Sequence, residues 1–271
     1  MSAVAEKSAA AANEPVLLSE TKGAIATLTL NRPKQYNALS EALLDELADA
    51  IDRLAKDQAV RVVVIAGNGP AFCAGHDLKE MRKRREADYY RALFAKCGEV
   101  MQGLTRLPQP VIARVHGIAT AAGCQLVAAC DLAVASRAAR FATSGINVGL
   151  FCSAPAVPVS RNVGRKASFE MLMTGDFVSA EEAVRLGLVN RAVEPAELDA
   201  EVARLAAKIV AKSPLAVKLG KEMFYKQIEL GLAAAYDYAG EVMACNMMAE
   251  DVADGIDAFA AKSPPPNWRG R

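Results

Sequence analysis

The stretch that most constrains this chain runs from Val111 to Asp131. Val111-Ile-Ala-Arg-Val115 reads as a buried strand, and His116-Gly117 breaks it. Small residues from Ala119 to Gly123 then open a run of helix formers, Cys124 to Cys130. A helix that starts on small residues leaves backbone N–H groups free and lets a ligand or another segment approach closely. The helix dipole adds partial positive charge there. Such a corner suits a developing negative charge, as in an oxyanion hole. The plainer reading is a tightly packed strand-to-helix turn with no ligand.

A second corner of the same kind lies at Ala71-Phe-Cys-Ala-Gly-His-Asp-Leu-Lys-Glu-Met81. A short apolar run meets Gly75, and Asp77 is placed to N-cap a helix carrying Leu78 and Met81. The backbone N–H of His76 is then exposed at the turn. The His76 imidazole is either bonded to backbone in a half-buried position or lines a pocket.

Around these corners, strands are expected at Val16 to Ser19, Ala24 to Leu30, Arg61 to Ala66, Leu132 to Ala135 and Leu188 to Val193. Ser40 N-caps an amphipathic helix over about 41–56, with Leu43, Leu44, Leu47, Ala50, Ile51 and Leu54 on one face. Arg82-Lys-Arg-Arg85 falls in a helical stretch as a solvated face or a contact to ligand phosphates, and Tyr89 to Leu104 continues helical. Phe141 to Gly149 reads as a loop, and Leu150 to Val159 as a pocket-lining segment leading to a helix. A helix over Lys166 to Thr174 ends at Gly175, and Ser179 with Glu182 forms a capping box for the next, which Gly187 stops. From Pro195 onward the pattern is helical, with helices at Ala196 to Lys212, Pro214 to Met247 with breaks, and Asp251 to Lys262. Strands alternating with helices, then helices alone, predict an α/β core with a helical C-terminal region.

Composition excludes several classes. The net charge of +1 gives no electrostatic case for nucleic acid or a membrane surface. No apolar run approaches the ~18 residues of a membrane span. The six cysteines (73, 97, 124, 130, 152 and 245) form no CxxC pair, and with only His76 and His116 a histidine metal site is excluded. Free thiols in a reducing compartment are expected. Residues 1–14 are expected to be a disordered tail, without the apolar segment of a signal peptide, and residues 263–271 a second one.

Phe72-Cys-Ala-Gly-His-Asp-Leu78, Gly117 to Asp131, and Thr174-Gly-Asp-Phe-Val-Ser-Ala-Glu-Glu-Ala-Val-Arg-Leu-Gly-Leu-Val189 together resemble the enoyl-CoA hydratase/isomerase (crotonase) superfamily. Asn31-Arg-Pro33 and Asn37-Ala-Leu39 fit the same pattern, and the match covers roughly residues 16–262. The resemblance implies a spiral of ββα turns over 15–195, with a helical trimerisation region over 196–262. It implies a homotrimer or dimer of trimers, and an acyl-CoA thioester as ligand, with coenzyme A belonging to the substrate and no separate cofactor or metal. The oxyanion donors carried over by position are the N–H groups of His76 and Ala122. Substrate contacts carried over are Arg32, Ala74, Lys79, Met81, Cys152, Phe259 and Lys262. A cytoplasmic location is expected in a bacterium, and the mitochondrial matrix in a eukaryote.

The departure from the family matters more. The positions of its two general acid/base glutamates fall at Gln125 and Gly145. Gln can orient a water but accepts no proton at neutral pH, and Gly has no side chain. General acid–base groups contribute about 10²–10⁴ each, so ordinary hydration should be severely weakened. Three readings follow: an acyl-CoA enzyme that needs only the oxyanion hole, such as a decarboxylase of malonyl-type thioesters; a residual hydratase; or a non-catalytic acyl-CoA-binding protein.

Overall fold

A computed structural model describes residues 14–271. The tail expected over 1–14 therefore lies outside the described residues except for Glu14. The chain opens with an antiparallel pair, β1 (Leu17–Lys22) and β2 (Ile25–Leu30), in which Leu17 faces Leu30. Alternation in Thr27-Leu-Thr-Leu30 becomes alternating burial along β2. Helix α1 (Glu41–Leu54) buries the six apolar positions named above, and Ser40 Oγ accepts from Leu43 N at 3.2 Å. The helix stops two residues short of the expected 56.

A three-part unit then recurs. β3 (Val62–Gly67), β4 (Ala71–Cys73) and the helices α2 (Leu78–Lys83) and α3 (Ala87–Arg106) make the first copy. β5 (Val111–Val115), β6 (Ile118–Thr120) and α4 (Ala122–Ala129) make the second. β7 (Leu132–Ser136), β8 (Arg140–Ala142) and, after a 3₁₀ turn over Ser144–Val148, α5 (Ser153–Asn162) make the third. The first strand of each unit joins one sheet, ordered β1-β2-β3-β5-β7 and closed by β10 (Arg191–Val193). The second joins another, ordered β4-β6-β8 and closed by β9 (Val178–Ser179). Pairing within β3, β5 and β7 and within β4, β6 and β8 is parallel. This is the expected ββα spiral, and it explains why no exact sequence repeat is visible: each turn keeps the pattern of burial and changes the residues.

Between the sheets and the C-terminus come α6 (Arg165–Thr174), α7 (Ala180–Leu186), α8 (Leu198–Val210), α9 (Pro214–Gln227), α10 (Leu232–Met247) and α11 (Glu250–Ala260). The expected long helix from Pro214 is thus two helices, broken where Gly231 N-caps α10. The capping box at Ser179 is only half made. Ser179 Oγ accepts from Glu182 N at 3.1 Å, but the Glu182 carboxylate turns to Arg185.

Several expectations are corrected. Arg82–Arg85 does not continue one helix: Arg84 is extended, pairs with Glu41 at 3.7 Å and lies over the Tyr89 ring at 5.3 Å. These contacts with Glu41 and Tyr89 hold Arg84 where α2 ends. The stretch expected as a loop over 141–149 is in part regular: 141–142 belong to a strand of the second sheet and Ser144–Val148 form a 3₁₀ turn. Residues 263–271 have no regular structure but are docked. Trp268 Nε1 donates to Ala211 O at 2.8 Å, and the N–H groups of Arg269 and Gly270 reach Asp251 at 2.7 and 3.0 Å. Asp251 is 2% exposed, and this segment supplies donors that satisfy its carboxylate.

Candidate active site

The two corners meet. β4 and β6 are parallel neighbours, so the turns that follow them emerge side by side. Gly75 has φ +96°, a conformation that favours glycine, and a Cβ there would lie 2.9 Å from Ala121 Cβ and 3.2 Å from Ala122 N. Gly123 is held closer still: a Cβ would lie 2.0 Å from Cys73 O. Both glycines are therefore required for the first turn of α4 to sit against the end of β4.

Hydrogen bonds lock the first corner. Leu39 N donates to Gly75 O at 2.7 Å and Asp77 N to Leu39 O at 3.1 Å. Asp77 Oδ1 caps α2 through Lys79 N and Glu80 N at 3.0 and 3.3 Å, as its sequence position suggested. Arg32 holds the other oxygen, Asp77 Oδ2, at 2.9 Å, and also donates to Ala38 O. Burial opposes the Asp77 charge, but these donors win and keep its carboxyl below the ordinary carboxylate range.

Among the described residues neither His76 N nor Ala122 N donates to a protein acceptor. Ala122 is the first residue of α4, where an N–H has no intrahelical partner. The strained backbone of the corner is at the residue before it: Ala121 has φ 51° and ψ −119°, rare for a residue with a Cβ. Ala121 N donates to Ala142 O at 2.9 Å, which holds that conformation against β8.

Uncharged side chains accompany the Asp77–Arg32 pair at the corner. Gln125 is 3% exposed, and its Oε1 has no partner. His76 Nδ1 is also unpartnered. Burial pushes the His76 imidazole down to about 4, with the Leu39 backbone opposing, and its ring meets Phe94 edge-on at 5.5 Å. Gly145 lies in the 3₁₀ turn and donates its N–H to Cys152 Sγ at 3.3 Å. Burial raises the Cys152 thiol and, to about 12, that of its neighbour Cys124, so both are protonated at neutral pH. Thr120 Oγ1 and Ser144 Oγ share a hydrogen bond of 2.5 Å nearby in the chain. All six cysteines are free, and the described residues contain no cluster of metal-ligand type.

The other expected contacts are spread more widely. Ala74 is half-buried at the corner and Lys79 is exposed on α2. Met81 packs on the core. Phe259 is 86% exposed on α11, and Lys262 just beyond it is exposed and makes no side-chain hydrogen bond or ion pair. His116 takes the plain role, bonding Gly69 O at 2.9 Å.

The family model described as enoyl-CoA hydratase/isomerase matches residues 20–271. The chain belongs to the enoyl-CoA hydratase/isomerase family. It is 45% identical over 254 residues to the mouse protein named enoyl-CoA hydratase domain-containing protein 3, mitochondrial, covering 93% of this chain and 85% of that one. The crystal structure of the human domain-containing protein 3 superposes with a TM-score of 0.90 at 44% identity, covering 93% of this chain and 100% of that one. A crystal structure titled enoyl-CoA hydratase from Mycobacterium smegmatis reaches 0.93 at 60% identity, over 93% of this chain and 99% of its own. Likeness to the domain-containing protein 3 branch is carried in sequence by Gly75-His-Asp-Leu-Lys-Glu80 and Ala119-Thr-Ala-Ala-Gly-Cys-Gln-Leu-Val-Ala128. Among the described residues no helix is long and apolar enough to cross a membrane.

Proposed function

We propose that this family member binds acyl-CoA thioesters and polarises the thioester carbonyl with the N–H groups of His76 and Ala122, without a carboxylate acid/base pair. The observation that carries this reading is the pair of N–H groups without protein acceptors, brought together where Gly75 packs on Ala122. Their dipoles are fixed before substrate arrives, so stabilising an enolate oxygen there needs no reorganisation. Removing one donor of such a pair costs about 10²–10³ in rate in known cases. Gln125 can accept or donate a hydrogen bond to a water or acyl substituent but cannot take a proton at neutral pH. Hydration of an enoyl thioester is therefore residual at best.

A second reading has its own support. Gln125 is neutral, His76 is neutral above about pH 4, Cys152 is protonated, and the one carboxylate of the corner, Asp77, is paired with Arg32 and caps α2, so the corner presents no unpaired negative charge to an anionic acyl group. Loss of CO₂ from a malonyl-type thioester breaks the C–C bond, leaves its electron pair on the enolate, and needs no base. Binding without turnover is the non-catalytic reading. We place the protein as a homotrimer or dimer of trimers. Its location is cytoplasmic in a bacterial host, and the mitochondrial designation of the vertebrate relatives supports a mitochondrial location in a eukaryotic one.

The test is crotonyl-CoA turnover, followed by loss of enoyl absorbance, with CoA binding by calorimetry on the same sample. Binding with little or no hydration is expected, and malonyl-type thioesters then separate decarboxylation from binding alone. Hydration at ordinary family rates would refute the carboxylate-free reading, and absence of CoA binding the acyl-CoA reading.

A further inference from the structure

A cavity of about 350 Å³ opens between the end of α1, the Pro108–Gln109 turn, the first turn of α9 and the docked C-terminal segment. It shares no lining residue with the two corners. Lys56, Arg61, Lys218 and Arg269 line it, against a single carboxylate, Asp57. Arg269 is paired with Glu250 and Asp254 at 2.9 and 2.6 Å. Lys56, Arg61 and Lys218 make no ion pair with the described residues. Arg61 donates to Lys212 O instead. The Asp251 carboxylate bears on Arg61, but its oxygens are already taken by Ser213 Oγ and the two backbone N–H groups of the C-terminal segment.

A chain whose net charge is only +1 thus gathers three unpaired cations around one concavity. Focused potential of one sign in a cleft draws a counter-ion of the other. Planar guanidinium and ammonium donors suit phosphate oxygens. Apolar surface is supplied beside the cations by Val60, Pro108, Leu215 and Val217. Gln109, 6% exposed, also lines it, and its Oε1 has no partner although Nε2 donates to Leu54 O and Asp57 O at 2.8 and 3.0 Å. A buried acceptor left without a donor asks for a hydroxyl, an N–H or a water.

We propose that this cavity is a second ligand site, remote from the thioester corner, that takes a small organic phosphate. Its phosphate sits among Lys56, Arg61 and Lys218, and its apolar body lies on the Val60–Leu215 wall. Because Arg269 and Gly270 form part of the rim, an occupant also ties the C-terminal segment to the first turn of α9.

The experiment is calorimetry on the full chain with inorganic phosphate and with phenyl phosphate, at constant ionic strength set by chloride. Saturable binding is expected for both, tighter for phenyl phosphate because of the apolar wall. The double variant Lys56→Gln/Lys218→Gln should weaken phenyl phosphate by roughly tenfold or more. The variant Arg165→Gln/Lys166→Gln, which removes the same charge at the exposed start of α6, should leave it unchanged. Urea unfolding, measured on both variants, serves as the check on folding and should give midpoints close to the parent's. No saturable binding, equal weakening by both variants, or full binding by the Lys56/Lys218 variant would each overturn the site. Phenyl phosphate binding no tighter than phosphate would overturn the organic ligand.

Discussion

Cys152 stands where a side chain at Gly145 would begin: a Cβ on Gly145 would lie 2.8 Å from Cys152 Sγ and 2.6 Å from Leu150 O. The turn has closed over the position from which the family's second glutamate is expected to emerge. Gly145→Ala is therefore an overpacking change, expected to cost about 1–3 kcal/mol by urea unfolding. Adding Cys152→Ala should return only part of this, because the Leu150 carbonyl is backbone and stays. Full tolerance of Gly145→Ala would show that the turn is slack. It follows that Gly145→Glu does not simply restore a lost group, and the informative restoration is at Gln125 alone.

Gln125→Glu puts a carboxyl into a site that is 3% exposed in the parent. Burial raises its pKa, so the variant should lose stability as pH rises through that value. Its charge should also weaken a carboxylate-bearing thioester by about tenfold relative to CoA itself, the scale of one like-charge contact in a partly desolvated site. Calorimetry with a malonyl-type thioester and with CoA measures both. An equal effect on the two ligands would remove the argument for an anionic acyl group.

His76 gives a pH signature. Its folded value near 4 lies below the ordinary 6.5, so between these values the unfolded chain binds a proton that the folded chain does not. Stability is then fully present above about 6.5 and declines as pH falls toward 4, by up to about 3 kcal/mol from this group. His76→Gln should flatten that part of the curve in denaturant titrations from pH 7 to 4. An unchanged slope would place the imidazole in water.

Lys221 anchors the C-terminal helices to the spiral. Its Nζ donates to Leu104 O, Gln109 O and Asp131 Oδ2 at 2.8, 3.0 and 2.6 Å, while Tyr225 donates to Asp131 Oδ1 at 2.7 Å. Lys221→Met leaves the part-buried Asp131 without its cation, though Tyr225 and Val111 N still donate to it, and should cost about 3 kcal/mol. Lys221→Met/Asp131→Asn should cost less than the single change, because the uncompensated charge is gone. A single-variant cost below about 1 kcal/mol would mean that the pair is solvated.

Legibility followed the range of the interaction. Ser40, Asp77 and Ser179 could be read as caps because a cap is decided within three residues, and α1 because its apolar face repeats along one helix. Both corners were legible as small-residue turns. Lys221 was not legible: it pairs with a residue 90 positions away, and nothing local distinguishes it from the surface lysines of α9. Asp251 was missed for the same reason, since its partners lie in a proline-rich segment that composition alone reads as disordered. β8 was hidden because three residues are too few for alternation to declare itself. The strain at Ala121 follows from the approach of Gly75 and β8, which only the fold supplies.

The central claim is that two fixed N–H groups polarise a thioester carbonyl in a site without a carboxylate acid/base pair. Difference infrared spectroscopy on acetyl-CoA labelled with ¹³C at the carbonyl, free and bound, tests it most directly and does not depend on turnover. The account predicts that the labelled stretch moves to lower wavenumber on binding, as the His76 and Ala122 N–H groups draw charge onto the oxygen. A stretch unchanged from that in water, in a sample shown by calorimetry to be saturated, would contradict it.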